Sequence, residues 1–201
     1  MSSDWISATV ASIVEGDGEV AALPKLLHRI AGELGVSLLT PTPQRVPRGK
    51  LTMIGGIERW VATAAPRVPG SGGVLVLIDA DDDCPAHLGP ELLSRARAAR
   101  GDKRIAVVLA NREFEAWFLA AAASLAGRHG FPDDLRPPDN PEAPRDCKGW
   151  LTKRRPPGRP YKETVDQAPV ASTIDLKMAR ENSPSFDKFY RDITWLLVGD
   201  Q

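Results

Sequence analysis

The sequence predicts an α/β fold: a three-layer sandwich on a central, mostly parallel, four-stranded sheet, with a proline-rich C-terminal extension that ends in a helix. Three observations carry this expectation. Up to about Leu125, short apolar runs alternate with stretches of helical periodicity, the pattern of strands joined by helical crossovers. Val74-Leu75-Val76-Leu77-Ile78 is apolar on both faces, as the buried middle of a parallel sheet requires. Beyond Gly130 the alternation stops, and nine of the 18 prolines fall between Pro132 and Pro169. The expected organisation is a core over residues 1–130, with a basic, proline-rich segment and a last helix (131–201) packed on it.

Each element follows from its local pattern. Thr9 to Val14 reads as the first strand. Leu23, Leu26, Leu27, Ile30 and Leu34 then mark an amphipathic helix that Gly35 ends. Pro24, so soon after Glu19, predicts a late start or a kink in that helix. Val36 to Thr40 is a second strand, weakened by Pro41, Pro43 and Pro47. Ile54, Ile57, Val61, Ala64 and Ala65 give a second helix, closed by Pro66. The Val74–Ile78 strand follows, then a helix through Leu88, Leu92, Ala96 and Ala99, and a strand over Ile105 to Leu109. Phe114, Trp117, Phe118, Ala121, Ala122 and Leu125 share a helical face, with Trp117 and Phe118 expected in the core. Ser183-Pro184 opens the last helix, a capping serine before a proline, with Phe186, Phe189, Tyr190, Ile193 and Leu197 on its apolar face.

Composition excludes several classes. Lysine plus arginine equals aspartate plus glutamate, 26 each, so no basic coat for nucleic acid covers the whole surface. Cys84 and Cys147 lie far apart, as reduced thiols rather than a disulfide framework or zinc knuckle. The N-terminal residues lack a secretory pattern, and no apolar run reaches the ~20 residues of a membrane span. A soluble, cytoplasmic protein without a membrane partner is expected.

In a parallel sheet the carboxyl ends of the strands share one edge, where ligands bind. Past the first strand stands Glu15-Gly16-Asp17-Gly18-Glu19; past the third, Asp79-Ala80-Asp81-Asp82-Asp83; past the fourth, Asn111-Arg112-Glu113-Phe114-Glu115. Crowded carboxylates repel, and either raised pKa values or a bound cation relieves them. Oxygen ligands without histidine point to Mg2+ or Mn2+ rather than zinc, and a magnesium that keeps waters suits phosphoryl chemistry. His28, His87 and His129 show no ligand spacing. Gly16 and Gly18 allow a sharp turn and close approach to a ligand. Asp81 to Asp83 also fit a plain helix cap, and Glu113 and Glu115 fit the acids common in a first helical turn.

At these residues the chain resembles the Toprim fold of topoisomerases, DnaG-type primases, recombination proteins and OLD-family nucleases. The likeness rests on Glu-Gly-x-x-Glu after one strand and Asp-x-Asp after another, and the pair Glu15 and Glu19 is most similar to the OLD-type branch. The chain also resembles an uncharacterised bacterial domain-of-unknown-function family with a Toprim-like, Rossmannoid core. It shares that family's Asp-x-Asp-Asp run, an Arg-Glu-x-Glu-x-Trp stretch (Arg112 to Trp117) and Ser185-Phe186 near the last helix. The resemblance implies a Mg2+-dependent nuclease or phosphodiester-processing protein, acting with an ATPase partner in defence against mobile DNA. Glu15 would be the metal-linked acid or base, with Asp79 and Asp81 also catalytic. Glu15, Glu19, Asp79, Asp81 and Asp83 would be the metal set, and Glu113 and Glu115 additional acids. Lys148 and Lys153 are the candidates for the lysine that OLD-type enzymes use.

Two other readings stand beside this one. A strand followed by Asp79-Ala80-Asp81 also fits a haloacid-dehalogenase-like phosphatase, although Asp83 stands where that class expects threonine or valine. A non-catalytic binding module of the same fold is the other. The stretch Arg145 to Lys162 carries a net +6 over 18 residues, interleaved with Trp150 and Tyr161. Lys148, Lys153, Arg154, Arg155 and Arg159 there suit a phosphate backbone and unstacked bases, or else a solvated loop.

Overall fold

The computed structural model describes residues 7–200. One sheet holds β1 (Ser7–Val14), β2 (Ser37–Leu39), β3 (Gln44–Arg45), β4 (Gly72–Asp79) and β5 (Arg104–Ala110), in the order β2-β1-β4-β5. Among the described residues every pairing is parallel and the sheet has five strands, one more than the sequence pattern suggests. The extra strand comes from the proline run. Both β2 and β3 pair with the side of β1 that β4 leaves free, and Thr9 faces Leu39 while Ile13 faces Gln44. The edge segment thus spends one more residue than β1 between those pairs. Pro41 and Pro43, which have no N–H to donate, fall in the gap.

Strand alternation sends side chains to two cores. Val10, Val14, Leu75, Leu77 and Val108 face α1 (Asp17–Glu33) and α9 (Pro184–Val198), meeting Leu23, Leu26, Leu27, Ile30, Phe186, Phe189 and Ile193. Ala11, Ile13, Val74, Val76, Ile78 and Val107 face the opposite way, onto Ile57 and Val61 of α3 (Gly56–Ala64) and Leu92 and Ala96 of α4 (Pro85–Ala99). A five-residue helix, α2 (Arg48–Thr52), precedes α3. Helices on both faces make three layers, and the extension joins the first core through Leu151, Val170 and Ile174.

Three helices depart from the sequence expectation: α3 begins only at Gly56, so Ile54, expected on its apolar face, stands exposed in the preceding turn. α1 begins at Asp17 and runs through Pro24 without a late start. Burial of Leu23, Leu26, Leu27 and Ile30 outweighs the ~3 kcal/mol a helix-interior proline costs. The single helix expected from Phe114 to Leu125 is instead a short α5 (Ala116–Ala120) and a 3-10 turn, Ala122–Leu125. Residues from Phe114 to Ala122 are buried on every side, so no amphipathic stripe marks where the helix must end. Trp117 and Phe118 are in the core, and Trp117 stacks on Phe189 with ring centroids 4.8 Å apart.

From β1 the chain crosses to β2 on one side, and from β4 to β5 on the other. The strand order therefore reverses between β1 and β4, and their carboxyl ends flank the crevice where open α/β sheets bind ligands.

Candidate metal centre at the sheet edge

The three acidic strand ends meet at that crevice. Glu15 follows β1, Asp79 ends β4, and the segment after β5 brings Glu113 and Glu115. Asp79 Oδ1 accepts from the backbone N–H of Phe114 at 2.8 Å, tying the end of β4 to the post-β5 segment. Glu115 is fully buried, and its Oε1 accepts from Tyr161 Oη at 3.1 Å and Gln167 Nε2 at 3.0 Å. Its Oε2 has no hydrogen bond; nor has Oε2 of Glu15 or of Glu113. Among the described residues, three buried carboxylate oxygens of one neighbourhood therefore lack a hydrogen bond, which is costly unless protons or a cation satisfy them.

The extension contributes a cation. α6 (Cys147–Thr152), capped by Asp146, places Lys148 Nζ 3.8 Å from Glu115 Oε2 and 2.9 Å from Glu163 Oε2 on α7 (Glu163–Ala171). Burial opposes the ammonium charge, but Glu115, Glu163 and Asp79 outweigh it and raise the pKa of Lys148. Cys147 beside it is a buried free thiol pushed up chiefly by burial, and Cys84 is free and exposed.

One lysine does not balance these acids. Burial, with Asp81 adding, raises Glu15. Burial pushes Glu19 up to about 7, with Glu115 and Glu15 adding to it. Asp79 is raised well above the ordinary range by burial, then by Glu19 and Glu115. Glu113 and Glu115 are raised mainly by burial as well. Glu19 is already engaged: its Oε2 accepts from the backbone N–H groups of Glu15 at 3.1 Å and Gly16 at 3.2 Å, capping α1.

The aspartate run does not cap α4, whose first turn receives no side-chain hydrogen bond. Arginines hold it instead. Arg48 donates to the Asp79 carbonyl at 3.1 Å and bonds Asp83, and lies 3.7 Å from Asp81. Arg112 and Arg145 both bond Asp82. Asp81 and Arg112 adopt left-handed φ angles of 52° and 68°, and Asp81 N–H donates to the Arg112 carbonyl at 2.9 Å. Asp81, Asp82 and Asp83 are exposed and form the rim of the crevice, whereas Glu19 and Glu115 are its buried wall.

The donor set suits a hard divalent ion. Every candidate ligand is a carboxylate oxygen, three of the oxygens are unpartnered, and the mutual repulsion calls for positive charge. As the side chains stand, no group of three or more among the described His, Cys, Asp and Glu residues is arranged to hold a metal ion. The orphaned oxygens are open to a proton or a cation, and no finished coordination geometry accompanies them.

A family model described as a domain of unknown function (DUF4276) matches residues 14–194. The chain belongs to the DUF4276 family. No curated protein and no solved structure gives a significant match. The matched DUF4276 span contains every acid of the crevice, Lys148 and the arginines of the rim.

Within this DUF4276 domain the basic tract is not a free loop. Lys148 turns toward the acids. Arg155 is bound to Asp166 at 2.9 Å, its guanidinium 4.9 Å from the ring of Phe131. Arg154 lies 3.4 Å over the Trp150 ring, and Tyr161 is buried. Lys153 and Arg159 remain exposed. Gly18 serves packing rather than ligand approach, since a Cβ there would sit 2.8 Å from the Glu163 carbonyl oxygen of α7. Gln167, Glu163 and Arg48 were not legible as site residues, and Tyr161, which the sequence places in the basic tract, donates instead to Glu115; each acquires its place only when distant segments pack together. Among the described residues no helix is long and apolar enough to cross a membrane.

Proposed function

We propose that this chain is a Mg2+- or Mn2+-dependent phosphodiester hydrolase of the Toprim-like kind, acting on nucleic acid. The observation that carries the reading is the set of unpartnered, buried oxygens on Glu15, Glu113 and Glu115 beside Asp79 at the strand-order reversal. Glu15, Asp79 and Glu115 would hold the ion, with Asp81 and Glu113 at the mouth, and the ion when bound supplies Lewis-acid polarisation and water activation. Hydrolysis requires water oxygen to bond phosphorus, one P–O ester bond to break and the water proton to leave. Glu15, raised by burial, would accept that proton, and the leaving ester oxygen takes one up from Glu15 or water. Lys148, held charged by its carboxylate neighbours, offsets negative charge developing on the phosphoryl oxygens.

The haloacid-dehalogenase-like reading is less well supported. Asp83, bonded to Arg48, stands where that class expects threonine or valine. Work with an ATPase partner in defence against mobile DNA is part of the proposal through resemblance alone. The test is incubation with supercoiled DNA, single-stranded DNA and RNA in Mg2+ or Mn2+, beside Asp79→Ala and Glu15→Gln. Metal-dependent cleavage lost in both variants is expected. Cleavage that persists in both would remove the assignment, and turnover confined to small phosphomonoesters would favour the phosphatase.

A further inference from the structure

The turn joining α2 to α3 exposes an apolar tip that the fold takes trouble to hold. Met53 is 58% and Ile54 95% exposed. Arg95 of α4 fastens the turn from below, donating to the carbonyls of Thr52 at 3.0 Å and Met53 at 2.6 Å and to Glu58 Oε1 at 2.8 Å. Gly55 takes a left-handed φ of 75°, and a Cβ at Gly56 would stand 2.2 Å from the Lys50 carbonyl oxygen. Both glycines are therefore required by this one shape. A fixed turn that lifts two large apolar side chains into water marks a contact surface rather than a packing residue.

The surroundings indicate what the tip contacts. Lys50 and Arg59 flank it, both exposed and neither in an ion pair among the described residues, and the Arg59 guanidinium lies 5.7 Å from the centre of the Trp60 ring, from which it would move to reach a phosphate. Glu58, the nearby acid, is tied up by Arg95. A concavity of about 560 Å3 opens between the tip, Arg59 and Trp60. α2 starts at Arg48, whose side chain bonds the Asp79 carbonyl, and the tip follows the other end of this helix, which is roughly 8 Å long.

We infer that the Met53–Ile54 tip is a wedge for duplex nucleic acid: it inserts at a base step, Lys50 and Arg59 hold the flanking phosphates, and the concavity beside Trp60 accepts the displaced base. Apolar wedges next to cations are how proteins unstack and kink a duplex, and an aromatic face takes an extruded base regardless of sequence. The inference rests on the phosphodiester reading above and adds the substrate form, a duplex opened beside the cut. Two exposed cations beside the apolar tip, with Glu58 already paired to Arg95, favour a polyanionic occupant.

The test uses the full chain and a DNA duplex carrying 2-aminopurine, whose fluorescence rises on unstacking, with Ca2+ in place of Mg2+ to hold the duplex uncut. Wild type should bind and brighten the probe. Ile54→Ser should bind roughly tenfold more weakly and leave the probe dark, while Leu39→Ser, an exposed apolar position on β2, should match wild type. Lys50→Ala with Arg59→Ala should flatten the salt dependence of binding. Thermal melting of each variant checks that folding is intact. A wild type that binds the duplex and cleaves it in Mg2+ without brightening the probe overturns the wedge and leaves the hydrolase reading standing. Equal binding and brightening by Ile54→Ser does the same. A wild type that neither binds nor cleaves nucleic acid removes both. Retention on anionic vesicles that Ile54→Ser abolishes, with duplex binding unchanged, overturns the wedge in favour of a membrane contact.

Discussion

Glu19 shows how much of the crevice's chemistry resides in single buried carboxyls. Its ordinary pKa of 4.5 is raised to about 7 in the folded chain. Between those values the folded chain keeps a proton that the unfolded chain has released. The stabilisation is therefore full below about 4.5 and is lost as pH rises through about 7. Glu15, Asp79, Glu113 and Glu115 shift in the same direction. The melting temperature of the metal-free protein should fall from mildly acidic to mildly alkaline pH, and Glu19→Gln, which can still accept from Glu15 and Gly16, should reduce that slope. A melting profile independent of pH would contradict the shift. Lys148→Met should destabilise by ~1 kcal/mol near neutral pH, a value discounted because the side chain is 38% exposed, and by less in acid as Glu115 keeps its proton. Urea denaturation at both pH values reads the difference. The acids themselves were legible in the sequence, because strand ends are easily found and each is followed by them. Their ranking was not: Glu115 looks like a first-turn acid yet is the fully buried member, whereas Asp83 looks like a ligand yet lies on the rim bonded to Arg48.

At the scale of elements, the parts with strong periodicity came through and those governed by long-range contacts did not. β1, β4, β5, α4 and α9 match their apolar patterns. The break after α5 and the split of the edge strand into β2 and β3 depend on surroundings that no local window contains. The start of α9 illustrates this. Ser183 caps it, accepting from Phe186 N–H at 3.0 Å, as the Ser-Pro pair implies. Ser185 does more than begin a helix: its Oγ accepts from Trp117 Nε1 at 2.8 Å and from Asn111 N–H at 3.2 Å. Glu142 completes the knot, receiving the Ser185 N–H at 3.0 Å and Asn111 Nδ2 at 2.8 Å. This network fixes the end of β5 from which the Glu113–Glu115 segment departs. Ser185→Ala leaves two N–H donors unpartnered, so a loss of ~2 kcal/mol in urea unfolding is expected, with reduced metal-dependent activity following from the loosened segment. Unchanged stability would show that water replaces the hydroxyl without cost.

Across the whole molecule, the zero net charge conceals a division of labour that sequence and structure draw differently. The acids do gather at one sheet edge, where the reversal of strand order places a crevice. The +6 tract does not face them as an open basic strip. Packing takes Lys148 to the buried Glu115 and buries the Arg155 side chain against Asp166, because a buried charge without a partner is costly. Lys153 and Arg159 keep their exposure, as do Lys50 and Arg59 beside the Met53–Ile54 turn, a pair that no cluster in the sequence announces. The central claim is that this edge takes a divalent cation through carboxylates now lacking partners, and calorimetric titration with Mn2+ tests it most directly. Performed at about pH 7 in two buffers of different ionisation enthalpy, wild type should bind and release protons, since a bound cation displaces those held by the raised carboxyls. Glu15→Gln and Glu115→Gln should each weaken binding by roughly tenfold or more. A wild type that takes up no Mn2+, or variants that bind it as tightly as wild type, would contradict the claim.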